Sequence, residues 1–148
     1  MVLNDIEATF VNTFIARDFR ERWCTRLASA KTRRKQLNRL AHTFVDDLDP
    51  RYVYNKDDLP AAVATQMRAV LANWKRAQPT QSCHIISLSS ERDGQMMSLP
   101  EAESDFQLTF GAIIIIIPDT LAYYHTERSN LSKQPFYVLF RQQSSERR

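Results

Sequence analysis

The chain has 148 residues, 43% hydrophobic and 25% charged, with a formal net charge of +3; that is enough for one core and too apolar for disorder by composition. Its two glycines exclude the glycine-rich loops of Walker-type and dinucleotide-binding sites, and its two cysteines, far apart and without a CxxC, exclude a disulfide framework or a zinc knuckle. The opening MVLNDIEATF lacks a positive n-region and meets Asp5 and Glu7, and no apolar run approaches the roughly 20 residues of a membrane helix, so a cytoplasmic chain with reduced thiols and no membrane contact is expected.

Ile6, Phe10 and Phe14 recur every four residues beside a stripe of Val11, Ile15, Phe19, Trp23 and Leu27, which predicts a long amphipathic helix. Ser29 stands where a fresh helix would be capped. Leu37, Leu40, Ala41, Phe44, Val45 and Leu48 carry the period to Asp49-Pro50, so 6–48 reads as two helices, or one bent near 28–31. Asp57 and Asp58 offer capping oxygens, Pro60 suits a first turn, and Leu59, Val63, Met67, Val70, Leu71 and Trp74 share one face, which predicts a helix over 57–77. Lys75 and Arg76 complement the dipole of its last turn.

After Pro79, residues 83–88 form a short apolar, β-branched run, and Asp93-Gly94 turns it into 95–99 as a hairpin. Ser98 and Glu101, with Pro100 between, make a capping box for a short helix over 99–105. Phe106, Leu108 and Phe110 alternate with polar neighbours, and the isoleucines of 113–117 continue as a strand buried on both faces in the middle of the sheet. Pro118-Asp119 turns the chain into a strand over 121–127, 136–141 supplies the last strand, and 142–148 is a loose tail. Short turns between consecutive strands favour antiparallel pairing. The expectation is one α+β domain over 1–148: about three N-terminal helices on one face of a four- to five-stranded, mainly antiparallel sheet spanning 82–141.

Charge is unevenly placed: residues 1–45 hold nine lysines or arginines against four acids, and the remainder eleven against thirteen. Arg22, Arg26 and Arg33 fall near one helical stripe, with Lys31, Arg34, Lys35 and Arg39 around them, and form a candidate binding surface for phosphates or an acidic protein. The ordinary alternative is a solvated helix face with internal pairs, Asp18 with Arg22 being correctly spaced for one. The acidic stretch 91–105 and the cluster of Asp46, Asp47, Asp49, Asp57 and Asp58 oppose that surface in sign, so self-association is a second use for it.

His125 and Glu127 stand two apart on a predicted strand and share a face with Tyr123, the best catalytic candidates in the chain. A sheet face of His and Glu with an arginine, here Arg128 or Arg141, has the layout of metal-independent phosphodiester chemistry, although no motif accompanies it. Cys83 and His84 point to opposite faces of their strand, which spoils them as a nucleophile and base. His42 and Asp46 offer two ligands on one helix face, too few for a metal site. No metal and no cofactor is expected.

These features favour a small, non-enzymatic binding or regulatory module that meets an acidic protein surface, or a second copy of itself, through its basic helices. The alternatives are a metal-independent nuclease or hydrolase centred on His125 and Glu127, and a nucleic-acid-binding protein, although no helix-turn-helix, RNP or KH signature is present.

Overall fold

The structure, a computed structural model, describes residues 3–106, 111–126 and 136–142. Helix α1 (Asp5–Phe14) starts at Asn4, whose side chain accepts a hydrogen bond from the Glu7 amide at 2.8 Å and so satisfies an orphan donor of the first turn. Asp5 and Glu7 place negative charge at the positive end of the helix dipole. The helix stops at Ile15, which turns extended and bridges Leu48. Helices α2 (Arg17–Ala28) and α3 (Ala30–Leu37) are divided at Ser29, whose carbonyl accepts from the Thr32 and Arg33 amides at 3.1 and 2.8 Å while its side chain makes no capping bond. Two single turns follow, α4 (Arg39–His42) and α5 (Phe44–Asp47). The expected three N-terminal helices are thus shorter and more numerous, with Ser29, Asn38 and Thr43 at the junctions, polar residues that compete with helical hydrogen bonding.

Six strands form one antiparallel sheet: β1 (Val53–Asn55), β2 (Ser82–Ser87), β3 (Met96–Ser98), β4 (Ala112–Ile117), β5 (Leu121–His125) and β6 (Phe136–Phe140), in the order β1-β6-β5-β4-β2-β3. The expectation of four or five strands omitted β1, which is too short to show an alternation. The hairpin of β2 and β3 forms as its turn residues indicated, with Gly94 at φ 81°. Helix α6 (Ala61–Ala77) starts later than expected, because Lys56–Asp58 is a separate 3-10 turn and Pro60 takes the N-cap position without a side-chain bond. Helix α7 (Leu99–Phe106) is capped where the Ser98 and Glu101 spacing indicated, by half of a capping box: Ser98 Oγ accepts from the Glu101 amide at 3.4 Å, and it donates to Glu101 Oε1 at 3.1 Å. Phe106 therefore ends a helix instead of opening a strand, and 107–110 lie outside the described residues, as do 127–135 and the tail from 143.

Side-chain alternation sends the sheet's residues into two cores. Ile86, Ile113, Ile115, Ala122, Tyr124 and Leu139 meet Phe10, Phe14, Trp23, Leu37 and Phe44 on one face. On the other, Cys83, Ile85, Ile114, Ile116, Tyr123 and Phe140 meet Val63 of α6 and Leu99 and Ala102 of α7. Helices cover both faces, not one as expected. The physical reason is β4 itself: five consecutive isoleucines project apolar surface both ways, and a strand buried on both faces needs a cover on each.

Polar anchors fix the N-terminal helices to the first face. The last carbonyls of α4 have no helical partner, and the sheet supplies them: the Tyr124 hydroxyl donates to the Leu40 carbonyl and Thr126 Oγ1 donates to the Ala41 carbonyl at 2.8 Å. Trp23 stacks edge-on against Phe44 at 5.0 Å, and Phe44 against Tyr124 at 4.9 Å. Asp47 closes this cluster, accepting from Trp23 Nε1 at 2.9 Å and from Arg39 Nε and Nη2 at 2.7 and 2.8 Å.

Candidate functional site

The seven candidate cations divide into two groups once their partners are known. Arg33 is consumed inside the protein. Its Nε and Nη2 donate to Asp93 at 2.7 and 2.9 Å, its Nη1 and Nη2 to Glu7 at 2.8 Å each, and its Nη1 also to the Leu27 carbonyl at 3.1 Å. Every N–H of a guanidinium is then used. His84 Nε2 lies 2.7 Å from Glu7 Oε2, and the Ser87 amide donates to Asp93 at 3.1 Å. One arginine thereby ties α1, α3 and the β2–β3 turn together.

Burial pushes the Glu7 carboxyl up, but hydrogen bonds from Arg33 and His84 and the charge of Arg33 outweigh it and bring the group down from 4.5 to about 2. Hydrogen bonding to Glu7 holds Arg33 firmly charged. A small cavity of ≈ 270 Å³ opens beside Glu7, Arg33 and Asp93, yet the guanidinium has no donor left to offer a ligand. The cluster is a lock. Sequence reading assigned Arg33 to the surface and missed Glu7, His84 and Asp93. The available signal was an acid at Glu7 on the same helical stripe as Phe10 and Phe14, and a histidine inside the apolar run of β2.

Arg39 is likewise held, by Asp47. The other five, Arg22, Arg26, Lys31, Arg34 and Lys35, are exposed, and none of them forms an ion pair among the described residues. Asp18 and Arg22, spaced for a pair, do not make one; the Arg22 guanidinium lies over the Phe19 ring at 5.9 Å instead. Arg34 Nη1 donates to the Leu88 carbonyl at 2.7 Å, and Arg26 Nη1 donates to Gln36 Oε1 at 3.1 Å. A cleft of ≈ 380 Å³ is lined by Arg26, Thr32, Lys35, Gln36 and Arg39.

The acids expected to complement this surface are partly spent within the fold. Asp47 and Asp49 are buried, the latter accepting from Arg51 at 2.7 Å, while Asp46, Asp57 and Asp58 are exposed.

His125 and Tyr123 share the second face of the sheet, as their spacing required, but each is only 7% exposed, with Phe136 packed against both rings. Burial, with the charges of Glu103 and Cys83, pushes the Tyr123 hydroxyl up to about 12. Glu127 and Arg128 lie outside the described residues, and Arg141 is exposed. Cys83 and His84 face opposite cores, as expected; burial drives the Cys83 thiol up to about 12, the reverse of what a nucleophile needs. Met96, on the edge strand β3, is 54% exposed.

Among the described residues no group of three or more His, Cys, Asp or Glu stands together as a metal site, and no helix is long and apolar enough to cross a membrane. No protein-family model matches the chain, and neither the curated proteins nor the solved structures give a match.

Proposed function

We propose that this domain is a binding module that engages an acidic protein surface through the basic face of α2 and α3. The observation that supports this reading is the division among its cations. Arg33 and Arg39 are paired with buried carboxylates, whereas Arg22, Arg26, Lys31, Arg34 and Lys35 face solvent without an ionic partner among the described residues. These five cations outnumber Asp18 and Glu21, the two acids of the same helices, both exposed, and an opposite surface relieves the excess repulsion and gains in encounter rate. The hydrolase reading has less support, since Tyr123 and His125 are each 7% exposed.

The test is affinity capture from the native host at low and moderate salt, comparing the natural chain with the Arg22→Glu, Lys31→Glu, Lys35→Glu variant. Loss of a specific protein in the variant is the expected result, and an identical set of partners would reject the surface. Recovery of nucleic acid, lost steeply as salt rises, would replace the acidic protein with a phosphate backbone.

A further inference from the structure

We propose that α6 is a self-association surface, on which a second copy of this chain lays its own α6 antiparallel. The helix covers the face of the sheet opposite to α2 and α3, so the inference goes beyond the basic face and does not depend on it.

Incomplete burial is the first argument. Helix α6 runs for 17 residues, and its large apolar side chains, Val63, Met67, Val70, Leu71 and Trp74, fall on one stripe with Leu59 just ahead of it. Helix α1, with 10 residues, buries five of them, whereas α6 buries Val63 alone. Leu59, Met67, Val70, Leu71 and Trp74 touch the second core and stay half-buried, while α7 covers that face closely through Leu99 and Ala102. The longest amphipathic stripe among the described helices is left part-open to water, and a further apolar cover lowers its free energy.

Charge selects the cover. Asp57 and Asp58 stand ahead of the first turn of α6, Lys75 and Arg76 stand in its last turn, and all four are exposed. Lys75 and Arg76 form no ion pair among the described residues. A helix negative at its start and positive at its end is complementary to itself when reversed. Full antiparallel overlap, about 25 Å long, sets Asp57 and Asp58 of each copy against Lys75 and Arg76 of the other and opposes the two helix dipoles. That overlap is symmetric about Met67, which meets its own copy at the two-fold axis. It brings Val70 over Ala64, and Trp74 over Leu59 and Pro60, of the second copy. A parallel alignment would set acid on acid and cation on cation.

The experiment is sedimentation equilibrium of the full chain over a wide concentration range at moderate salt. A monomer–dimer equilibrium is expected. The Lys75→Glu, Arg76→Glu variant and the Asp57→Lys, Asp58→Lys variant should each dimerise at least about tenfold more weakly. Mixing the two variants, or combining all four changes in one chain, should restore the dimer, because opposite charges again meet at both ends. Met67→Glu should abolish it by placing two like charges at the axis; if that variant fails to fold, the restoration by charge exchange still decides. A monomer at every concentration overturns the proposal, and so does a dimer that neither reversal weakens or that the exchange does not restore. The two readings fail separately. The Arg22→Glu, Lys31→Glu, Lys35→Glu chain should remain dimeric while losing its partner, and a dimer lost in that chain would lie on the basic face and overturn the assignment to α6.

Discussion

Replacing Arg33 by Met removes the guanidinium and keeps much of the apolar stem, so the loss measures the lock rather than the packing. Five hydrogen bonds disappear, and two carboxylates lose their counter-charge where their side chains are 3% and 12% exposed. Removing one member of a buried ion pair typically costs about 3–5 kcal/mol, because the partner stays buried without compensation. Here there are two such partners, in α1 and in the β2–β3 turn, so the upper part of that range is expected. A domain of this size has only about 5–15 kcal/mol in total. Urea denaturation followed by Trp23 and Trp74 fluorescence reads the change directly. Arg33→Lys restores the charge without either planar fork and should fall between the two. In the Glu7→Gln background the same Arg33→Met change should cost less by about 1–3 kcal/mol, since one stranded charge is gone. A loss under about 1 kcal/mol for Arg33→Met, with no coupling to Glu7, would refute the lock and return Arg33 to the binding surface.

Acid should weaken the same lock. The folded Glu7 carboxyl lies at about 2 against an ordinary 4.5, so its contribution is present above pH 4.5 and fades as pH falls towards 2. That amounts to about 3 kcal/mol, measurable as a pH-dependent urea midpoint that Glu7→Gln flattens. The glycines offer a matched comparison: both have positive φ, but a Cβ on Gly94 meets nothing within 4 Å, while one on Gly111 meets Leu88 Cδ1 at 2.5 Å and Cγ at 3.0 Å. Gly94→Ala should cost about 1 kcal/mol and Gly111→Ala about 2–3 kcal/mol by denaturation; equal losses would show that Leu88 yields freely. Iodoacetamide near neutral pH should modify half-buried Cys24 well before Cys83, whose buried thiol is pushed up to about 12, and mass mapping that finds Cys83 first would contradict its place in the second core.

Much of the fold was legible because periodicity reports burial. The α6 stripe, the capping box at Ser98 and Glu101, the Asp93-Gly94 hairpin and the central isoleucine strand all follow from local patterns. What failed was non-local. Strand β1 is only Val53–Asn55; three residues carry no readable alternation, and it becomes a strand because β6 offers it an edge to pair with. The break at Ile15 arises from tertiary needs as well. Ile15 leaves helical geometry to bridge Leu48, and the Ala16 amide then donates to the Asp47 carbonyl at 2.8 Å.

The candidate surface was only half legible, and the reason is instructive about charge in sequences. A run such as 31–39 shows how many cations a helical segment carries but not which ones have a carboxylate waiting elsewhere in the chain. Arg33 finds Glu7 and Asp93, 26 and 60 residues away, and those separations have no periodicity to betray them. Burial works as a filter here: a carboxylate held inside a core must capture a cation, so Glu7, Asp47 and Asp93 draw Arg33 and Arg39 out of the basic run. What remains on the surface is the set that no buried carboxylate captured. Arg26 and Arg34 each give one hydrogen bond, to Gln36 Oε1 and the Leu88 carbonyl, but none of Arg22, Arg26, Lys31, Arg34 and Lys35 has an ionic partner among the described residues, and their positive charges raise the energy of the isolated domain through mutual repulsion. A cluster of that kind costs stability in the free chain and lowers free energy only when an anion arrives, which is why the unpaired set, and not the full run, marks the surface to test.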